Sequence, residues 1–378
     1  MVDTDYIISV IKKKTDRIME LTDPKRPIIT APITIGGKYT EKFDTFLQPG
    51  WTHSFFLGNV AYMYICSGEK KYLDYLEDNK QKYIDYLYHN DEEIGHDTGF
   101  LYSLYAVAMY EITGDEEYKN LALKAADEMA KRFRYKAGHI QAFFDLRKRG
   151  VQDGTTLMIV DDMMNMQLLM WAYRETGHSF YRDVYESHIK VAVKNLIRSD
   201  YSVCHAYHFD ALTGEPLCEM NYCGFSVGSH WSRGTAWVIY GLAKAYEFTG
   251  CKERYLQPLL GVIGKYLESL GGGVIPMWDF RLPGDADRQY RDTSAAAIIA
   301  SAFKTLEKTD FGGYYAKKTK EYSDAVLREL CSEKWMCNDD SEAVLDYGNR
   351  EGSLWGDYFF TELIMKNCLG EKFIDFWN

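Results

Sequence analysis

Two short acidic stretches hold the residues best suited to chemistry: Gly95-His96-Asp97-Thr98-Gly99 and VDDMMNM, which runs from Val160 to Met166. A carboxylic acid in a dry site can give up a proton and later take one back. A second carboxylate beside it raises its pKa by like-charge repulsion. Paired carboxylates therefore point to general acid/base work. Other common chemistries lack their residues. No HExxH and no paired Cys/His spacing occurs among the nine histidines, and His205 and His208 sit three apart in a stretch, YHFD, that reads as a strand or turn. No metal and no cofactor is expected. The GxSxG of a serine nucleophile elbow and the GxxxxGK of a phosphate loop are both missing.

The same aspartates would also serve as helix caps. Asp97, Asp161, Ser232, Asp292 and Ser353 all precede apolar helical runs, where a side-chain oxygen satisfies free backbone donors. Capping does not account for their companions His96, Trp51, His230, Trp231, Arg233 and Trp355. Which reading holds depends on the elements that carry these segments.

Those elements announce themselves as a repeat. An apolar helix ends at a small residue plus Gly, and a new helix with an early Tyr follows: YICSGEKKY (Tyr64 to Tyr72), YEITGDEEY (Tyr110 to Tyr118), YRETGHSFY (Tyr173 to Tyr181) and YEFTGCKERY (Tyr246 to Tyr255), with a degenerate copy, LEKTDFGGYY, at Leu306 to Tyr315. Gly68, Gly114, Gly177 and Gly250 supply the left-handed residue that closes a helix, so each copy is the turn of an antiparallel helix pair. Periodicity read outward from these turns predicts about twelve helices, near residues 4–22, 54–67, 71–89, 98–113, 116–134, 162–176, 180–198, 233–249, 253–269, 293–308, 314–331 and 354–367. Strand signals are confined to connections such as HAYHFDALTG and GGGVIPMWDF.

Stacked hairpins either extend as a solenoid or close into a ring. Unequal turn spacing and long inserts around residues 23–52, 136–160, 199–231 and 271–291 favour closure, and no linker rich in Pro, Gly or Ser divides the chain. The expected architecture is all-α, an (α/α)6 toroid in one domain over residues 1–378. Alternate helices would then form an inner layer with every N-terminus opening on one face. The segments entering the second, fourth, sixth, eighth, tenth and twelfth helices are the ones that carry the misplaced His, Trp and Asp. Helix N-termini ringing a cleft would also favour a bound carboxylate.

Composition narrows the partners. With 378 residues and 46% hydrophobic content the chain can bury a large core. A net charge of -11 leaves no basic stripe for nucleic acid. Tyr, Phe and Trp make up 15% of residues, enough to line a wide cleft with rings that stack on sugar faces or, equally, to fill a helical core. Eight cysteines with no CxxC pair suit a reducing compartment, the N-terminal MVDTDYIISVIKKKTD lacks a secretory core, and no apolar run is long enough to span a bilayer. A cytoplasmic protein without a membrane partner is expected.

The motifs taken together resemble a known family. HDTGF (His96 to Phe100), VDDMMNM, HWSRGTAWVIYGLAKAY (His230 to Tyr246), WDF (Trp278 to Phe280), RDTSAAAIIAS (Arg291 to Ser301) and WGDYFF (Trp355 to Phe360) are similar, in register over about residues 50–365, to the unsaturated glucuronyl hydrolases of glycoside hydrolase family 88. The unsaturated rhamnogalacturonyl hydrolases of family 105 share part of the pattern and are the nearest alternative. The resemblance implies removal of a 4,5-unsaturated uronic acid from the non-reducing end of lyase-generated oligosaccharides. The enol ether is hydrated and the anomeric carbon is not displaced, unlike double-displacement glycosidases. It implies Asp161 as general acid/base and Asp97 as its assistant, with Asp162 a rival that the family does not require. His96, His205, Arg233 and Trp237 resemble substrate-contacting residues, and Asn165, four residues after Asp161, lies on the same helical face and could orient the acid.

Departures bear on substrate identity more than on reaction type. WTHSFF stands where relatives show WTDGFW, placing Phe56 at a stacking tryptophan position, and QAF replaces QAW at Phe143. CGF replaces QGY, so Cys223 stands for a substrate-contacting glutamine, and GTAW replaces GQAW at Thr235. A sugar epimerase would rely on a histidine pair, and a noncatalytic sugar-binding protein would not need both Asp97 and Asp161. Those two residues argue against either reading.

Overall fold

The computed structural model describes residues 2–23, 32–39, 50–89, 95–143, 155–250, 252–287, 289–309, 311, 313–347 and 351–378. Cys251, Asp310 and Gly312 of the turn motifs, and parts of the inserts at 23–52 and 136–160, lie outside these residues.

Twelve helical rods occur among the described residues. They are α1 (Thr4–Leu21), α2 (His53–Ser67), α3 (Lys70–Asp78 continued by Lys80–His89), α4 (Thr98–Tyr102, a π turn Ser103–Val107, then Ala108–Thr113), α5 (Glu116–Ala130), α6 (Asp162–Asn165 continued by Gln167–Thr176), α7 (Ser179–Leu196), α8 (Ser232–Phe248), α9 (Glu253–Ser269), α10 (Thr293–Leu306), α11 (Gly313–Leu330) and α12 (Leu354–Cys368). Gly68, Gly114 and Gly177 end α2, α4 and α6 at a φ of 68°, the left-handed conformation that the repeat requires.

Sequence character separates two layers. The even-numbered helices are buried nearly all round, as α8 is from Ser232 to Tyr246 and α10 from Thr293 to Phe303. The odd-numbered ones bury a single stripe, such as Tyr118, Leu121, Ala122, Ala125, Ala126 and Met129 of α5. Each even helix packs on the next, α2 on α4, α4 on α6, α6 on α8, α8 on α10, α10 on α12, and α12 returns to α2. The inner ring closes, as expected for an (α/α)6 toroid. At the end of the barrel away from the inner N-termini, the buried Glu362 carboxylate of α12 accepts from Trp377 Nε1 (2.8 Å) and the Tyr358 hydroxyl (3.0 Å).

Among the described residues, five short strands depart from the helical pattern: β1 (Phe133–Arg134), β2 (His139–Ile140), β3 (Thr155–Ile159), β4 (Ala206–Asp210) and β5 (Pro216–Met220). β3, β4 and β5 form one antiparallel sheet in that order. β4 lies in the stretch read as a strand. β3 falls in a segment read as a polar insert, because five residues are too few to show a period. GGGVIPMWDF makes only isolated bridges, Trp231 to Asp279 and Met277 to Arg291, and Pro276 has no N–H to give a ladder. α5 stops at Ala130, short of the predicted 134, since Phe133 and Arg134 pair with β2.

Candidate active site

The helix N-termini answer the question of capping residue by residue. Asp292 Oδ1 accepts from the Ala295 amide (2.9 Å) and Ser353 Oγ from the Gly356 amide (3.2 Å), so both cap their helices. Ser232 donates its hydroxyl to the Trp278 carbonyl (3.0 Å). Asp97 and Asp161 occupy the same kind of position yet make no capping bond with their side chains; both have helical backbone angles. An N-cap oxygen reaches back to its own helix from an extended backbone. With a helical backbone these two carboxylates are turned elsewhere.

Asp161 faces a histidine that the sheet delivers. Ile159 pairs with Ala206, and the Val160 amide donates to the His205 carbonyl (2.8 Å), so the residues following β3 and preceding β4 lie side by side. His205 Nε2 then stands 3.7 Å from Asp161 Oδ2, and neither atom has another hydrogen-bond partner among the described residues. The other ring nitrogen is committed: Nδ1 accepts from the amides of Tyr222 (2.9 Å) and Cys223 (3.0 Å). Burial works against the imidazolium, while the Asp161 carboxylate and the Cys223 side chain favour it. A proton on Nδ1 would nevertheless point straight at two amide donors, so the geometry holds a neutral ring with its proton on Nε2.

The loop that supplies these amides is pinned by Asp279 of the WDF motif. Its Oδ2 accepts from the Phe225 amide (3.0 Å), and Oδ1 accepts from the amides of His230 (3.0 Å) and Arg281 (2.9 Å).

His96 has the opposite protonation pattern. Its Nδ1–H donates to the Ala142 carbonyl (2.8 Å), and its Nε2 stands 3.3 Å from Asp97 Oδ1. Desolvation opposes a charged ring here, but Asp97, Asp162 and Asp161 outweigh it and raise the pKa. His96 is the donor at both nitrogens, a cation among three carboxyl groups. The Phe143 ring packs edge-on against it, with centroids 5.0 Å apart.

One residue ties the two carboxylates together. Asn165 is fully buried, accepts from the Phe100 amide on Oδ1 (2.7 Å) and donates from Nδ2 to the Asp161 carbonyl (3.2 Å). It links the first turn of α4 to the first turn of α6 and holds Asp161 through the main chain.

Arg233 adds the second cation. Its guanidinium lies 4.6 Å from the Trp231 ring centroid and 4.7 Å from that of Trp355. It donates to the Tyr347 hydroxyl and sits 3.6 Å from Asp292 Oδ2.

Three expectations require correction. Phe56 is 2% exposed and packs edge-on against Tyr75, and Trp237 is fully buried between Phe100 and Phe359. Helix α2 is buried all round at this level and Trp237 points into the core, so neither ring offers a face to a sugar. The pKa of Asp161 is lowered, not raised: burial pushes it up, but His205, His96 and Arg233 together pull it down further. It is Asp162, wholly buried beside it, that is pushed up to about 7 by desolvation. Asp162 has no exposed surface, which removes it as a rival for direct contact with a substrate. Cys223 is exposed on the loop above His205, where its amide donates to Nδ1 and its side chain also interacts with the ring.

Sequence reasoning missed Tyr347, Asp279 and the paired amides of Tyr222 and Cys223. Tyr347 is 114 residues from Arg233 and carries no local signal. Asp279 stood inside a noted motif, and its place between two aromatic residues within an insert was the available clue.

A family model described as Glycosyl Hydrolase Family 88 matches residues 28–342. The chain is 32% identical over 334 residues to the unsaturated chondroitin disaccharide hydrolase of Streptococcus pneumoniae, covering 84% of this chain and 81% of that protein. It is 30% identical over 331 residues to the unsaturated glucuronyl hydrolase of Bacillus sp. (strain GL1), covering 84% and 85%. The crystal structure of the unsaturated glucuronyl hydrolase from Bacillus sp. GL1 superposes with a TM-score of 0.86 at 27% sequence identity, over 97% of each chain.

Proposed function

The chain belongs to Glycosyl Hydrolase Family 88, and from that premise we propose that it removes a 4,5-unsaturated glucuronic acid from the non-reducing end of glycosaminoglycan-derived disaccharides, those of the chondroitin type first. It is a glycosidase. The observation that carries the reading is the freedom of Asp161 and Asp97 from capping, with a neutral His205 facing the first and a cationic His96 facing the second.

In this reading Asp161 delivers a proton to C4 of the enol ether and helps a water molecule add its oxygen to C5, with Asp97 assisting. The resulting hemiketal opens and releases the second sugar, so one water is consumed and no bond to the anomeric carbon is attacked. Before the substrate arrives, His205, His96 and Arg233 keep Asp161 ionised. A uronate anion drawn into the cleft engages the two cations, His96 and Arg233, and adds a negative charge beside Asp161, so the carboxylate takes up the proton it must give. The neutral His205, fixed by the Tyr222 and Cys223 amides, has one N–H to offer and steadies the carboxylate each time it re-ionises.

We further propose one catalytic domain over residues 1–378, supported by the packing of α12 on α2 that closes the ring. A cytoplasmic location fits the free thiols of the seven described cysteines. No helix among the described residues is long and apolar enough to cross a membrane.

The test follows the ultraviolet absorbance of the enol ether when the protein meets unsaturated chondroitin disaccharides. Loss of absorbance with the wild-type chain and none with Asp161→Asn is expected. An unchanged absorbance with every unsaturated disaccharide would overturn the reading.

A further inference from the structure

Asp162 is a carboxyl group that the proposed chemistry does not use, yet it lies directly behind it. The side chain is fully buried. Its Oδ1 has no hydrogen-bond partner among the described residues, and its Oδ2 receives only a long approach from the Ile159 amide (3.5 Å) and stands 4.0 Å from His188 Nε2. His188 Nδ1 accepts from the Ile140 amide (3.0 Å), so its single proton is on Nε2, facing Asp162; burial keeps that ring neutral. A carboxylate in this setting lacks the two or three short donors that would stabilise its charge. A protonated carboxyl group fits the same space without that penalty.

The charged and titratable groups around it come from every neighbouring element. His96 and Asp97 face it from the entry to α4, Asp161 from its own turn, Arg132 from the end of α5, and His188 from α7 with His139 of β2 behind. Two of the nearest groups are carboxylates already, and the substrate of the proposed function brings another.

We infer that Asp162 is a positioning residue of the site through its charge: it holds a proton while the anionic substrate binds, and when it loses that proton it repels the substrate from the cleft. The inference rests on the reading that the substrate is a uronate. Asp162 acts through space on the anion and on His96, and touches neither substrate nor reacting atoms. Desolvation, which pushes its pKa up to about 7, places the switch near neutrality. One extra buried charge several ångströms from a bound anion weakens binding by about fivefold or more at an effective dielectric of about 20 or somewhat above.

The experiment measures KM and kcat for an unsaturated chondroitin disaccharide from about pH 5.5 to about pH 8.5, in the wild-type chain and in Asp162→Asn, with Asp162→Ser as a second variant should the amide fail to pack. The expected result is a wild-type KM that rises about fivefold across neutrality, with the rise abolished in the variants. Turnover with a wild-type KM that stays flat, or variants that keep the wild-type rise, overturns this inference alone. Absence of turnover at every pH overturns the proposed substrate, and the inference with it. A buried Asp with only a structural role would lower activity uniformly and leave the slope of KM against pH untouched.

Discussion

Gly99 lies so close to Asn165 that a Cβ on it would stand 2.3 Å from the Asn165 Cα and 2.2 Å from its carbonyl oxygen. Main chain meets main chain there, and nothing flexible can yield. This contact sets the separation of the first turns of α4 and α6, and therefore of Asp97 and Asp161, while the Asn165 side chain bonds both turns. Gly99→Ala is expected to lower stability by about 1–3 kcal/mol, as overpacking does, and to lower kcat of the fraction that remains folded. Gly58→Ala is the control: its Cβ would meet the Tyr358 ring at 2.6 Å, away from the acidic pair. Denaturant unfolding and turnover per folded molecule separate the two, and equal turnover in both variants would refute the link.

The aspartates at the inner N-termini should split into two classes. Asp161→Asn and Asp97→Asn remove no capping bond, so thermal stability should hold, while activity falls roughly a hundredfold to ten-thousandfold as expected for a lost general acid/base group. Asp292→Ala removes a cap to the Ala295 amide and should lower stability by about 1–2 kcal/mol. Melting curves alongside absorbance assays test the division. A large drop in melting temperature for Asp161→Asn would mean that its carboxylate supports the fold after all.

Much of this arrangement was legible in advance. The turn repeat, its unequal spacing and the long inserts pointed to the ring, because each hairpin has a face that only a neighbour can cover. The choice of Asp97 and Asp161 as chemical residues came from the resemblance of their motifs to family 88, with their place at inner N-termini beside His96 in keeping with it. What escaped was whatever depends on distance in sequence or on the main chain. The tautomer of His205 is set by amides 17 and 18 residues away, and Tyr347 reaches Arg233 across the barrel. Burial of Phe56 and Trp237 also escaped, since a ring at the top of an inner helix can point to the cleft or the core with the same sequence pattern. The direction of the Asp161 shift was misjudged because the like-charge argument weighed carboxylates and left out the three cationic or donor groups that face them.

The raised pKa of Asp162 makes a stability prediction with a definite sign. Its folded value of about 7 lies above the unfolded value near 3.9, so between those limits the folded chain binds more protons than the unfolded one. Stability contributed by this group is present in full below about pH 4 and is lost as pH rises to about 7, by roughly 2–4 kcal/mol for a fully buried acid. Asp162→Asn keeps the shape without the charge. Its stability relative to the wild type should therefore improve as pH is raised from about 4 to about 7.5, read from urea midpoints at each pH. A difference that does not change with pH would show that Asp162 is ionised in the folded chain throughout.

Arg233 should prove irreplaceable by lysine. Two indole faces hold its planar guanidinium at 4.6 and 4.7 Å, the Tyr347 hydroxyl accepts from it, and Asp292 stands at 3.6 Å. A lysine carries the charge but has no plane to lie between Trp231 and Trp355 and no fork to reach Tyr347 and Asp292 together. Arg233→Lys is expected to raise KM for an unsaturated uronic acid disaccharide by about tenfold or more, with a smaller effect on kcat. Arg233→Met goes further, because it fills the slot and removes the charge. Arg233 is one of the groups that pull the pKa of Asp161 down, so in Arg233→Met that pKa rises. The limb of the kcat/KM profile that reports Asp161 in the free enzyme should then move to higher pH. A pH profile unchanged in Arg233→Met, with only KM altered, would place the guanidinium too far from Asp161 to tune it and would confine Arg233 to substrate binding.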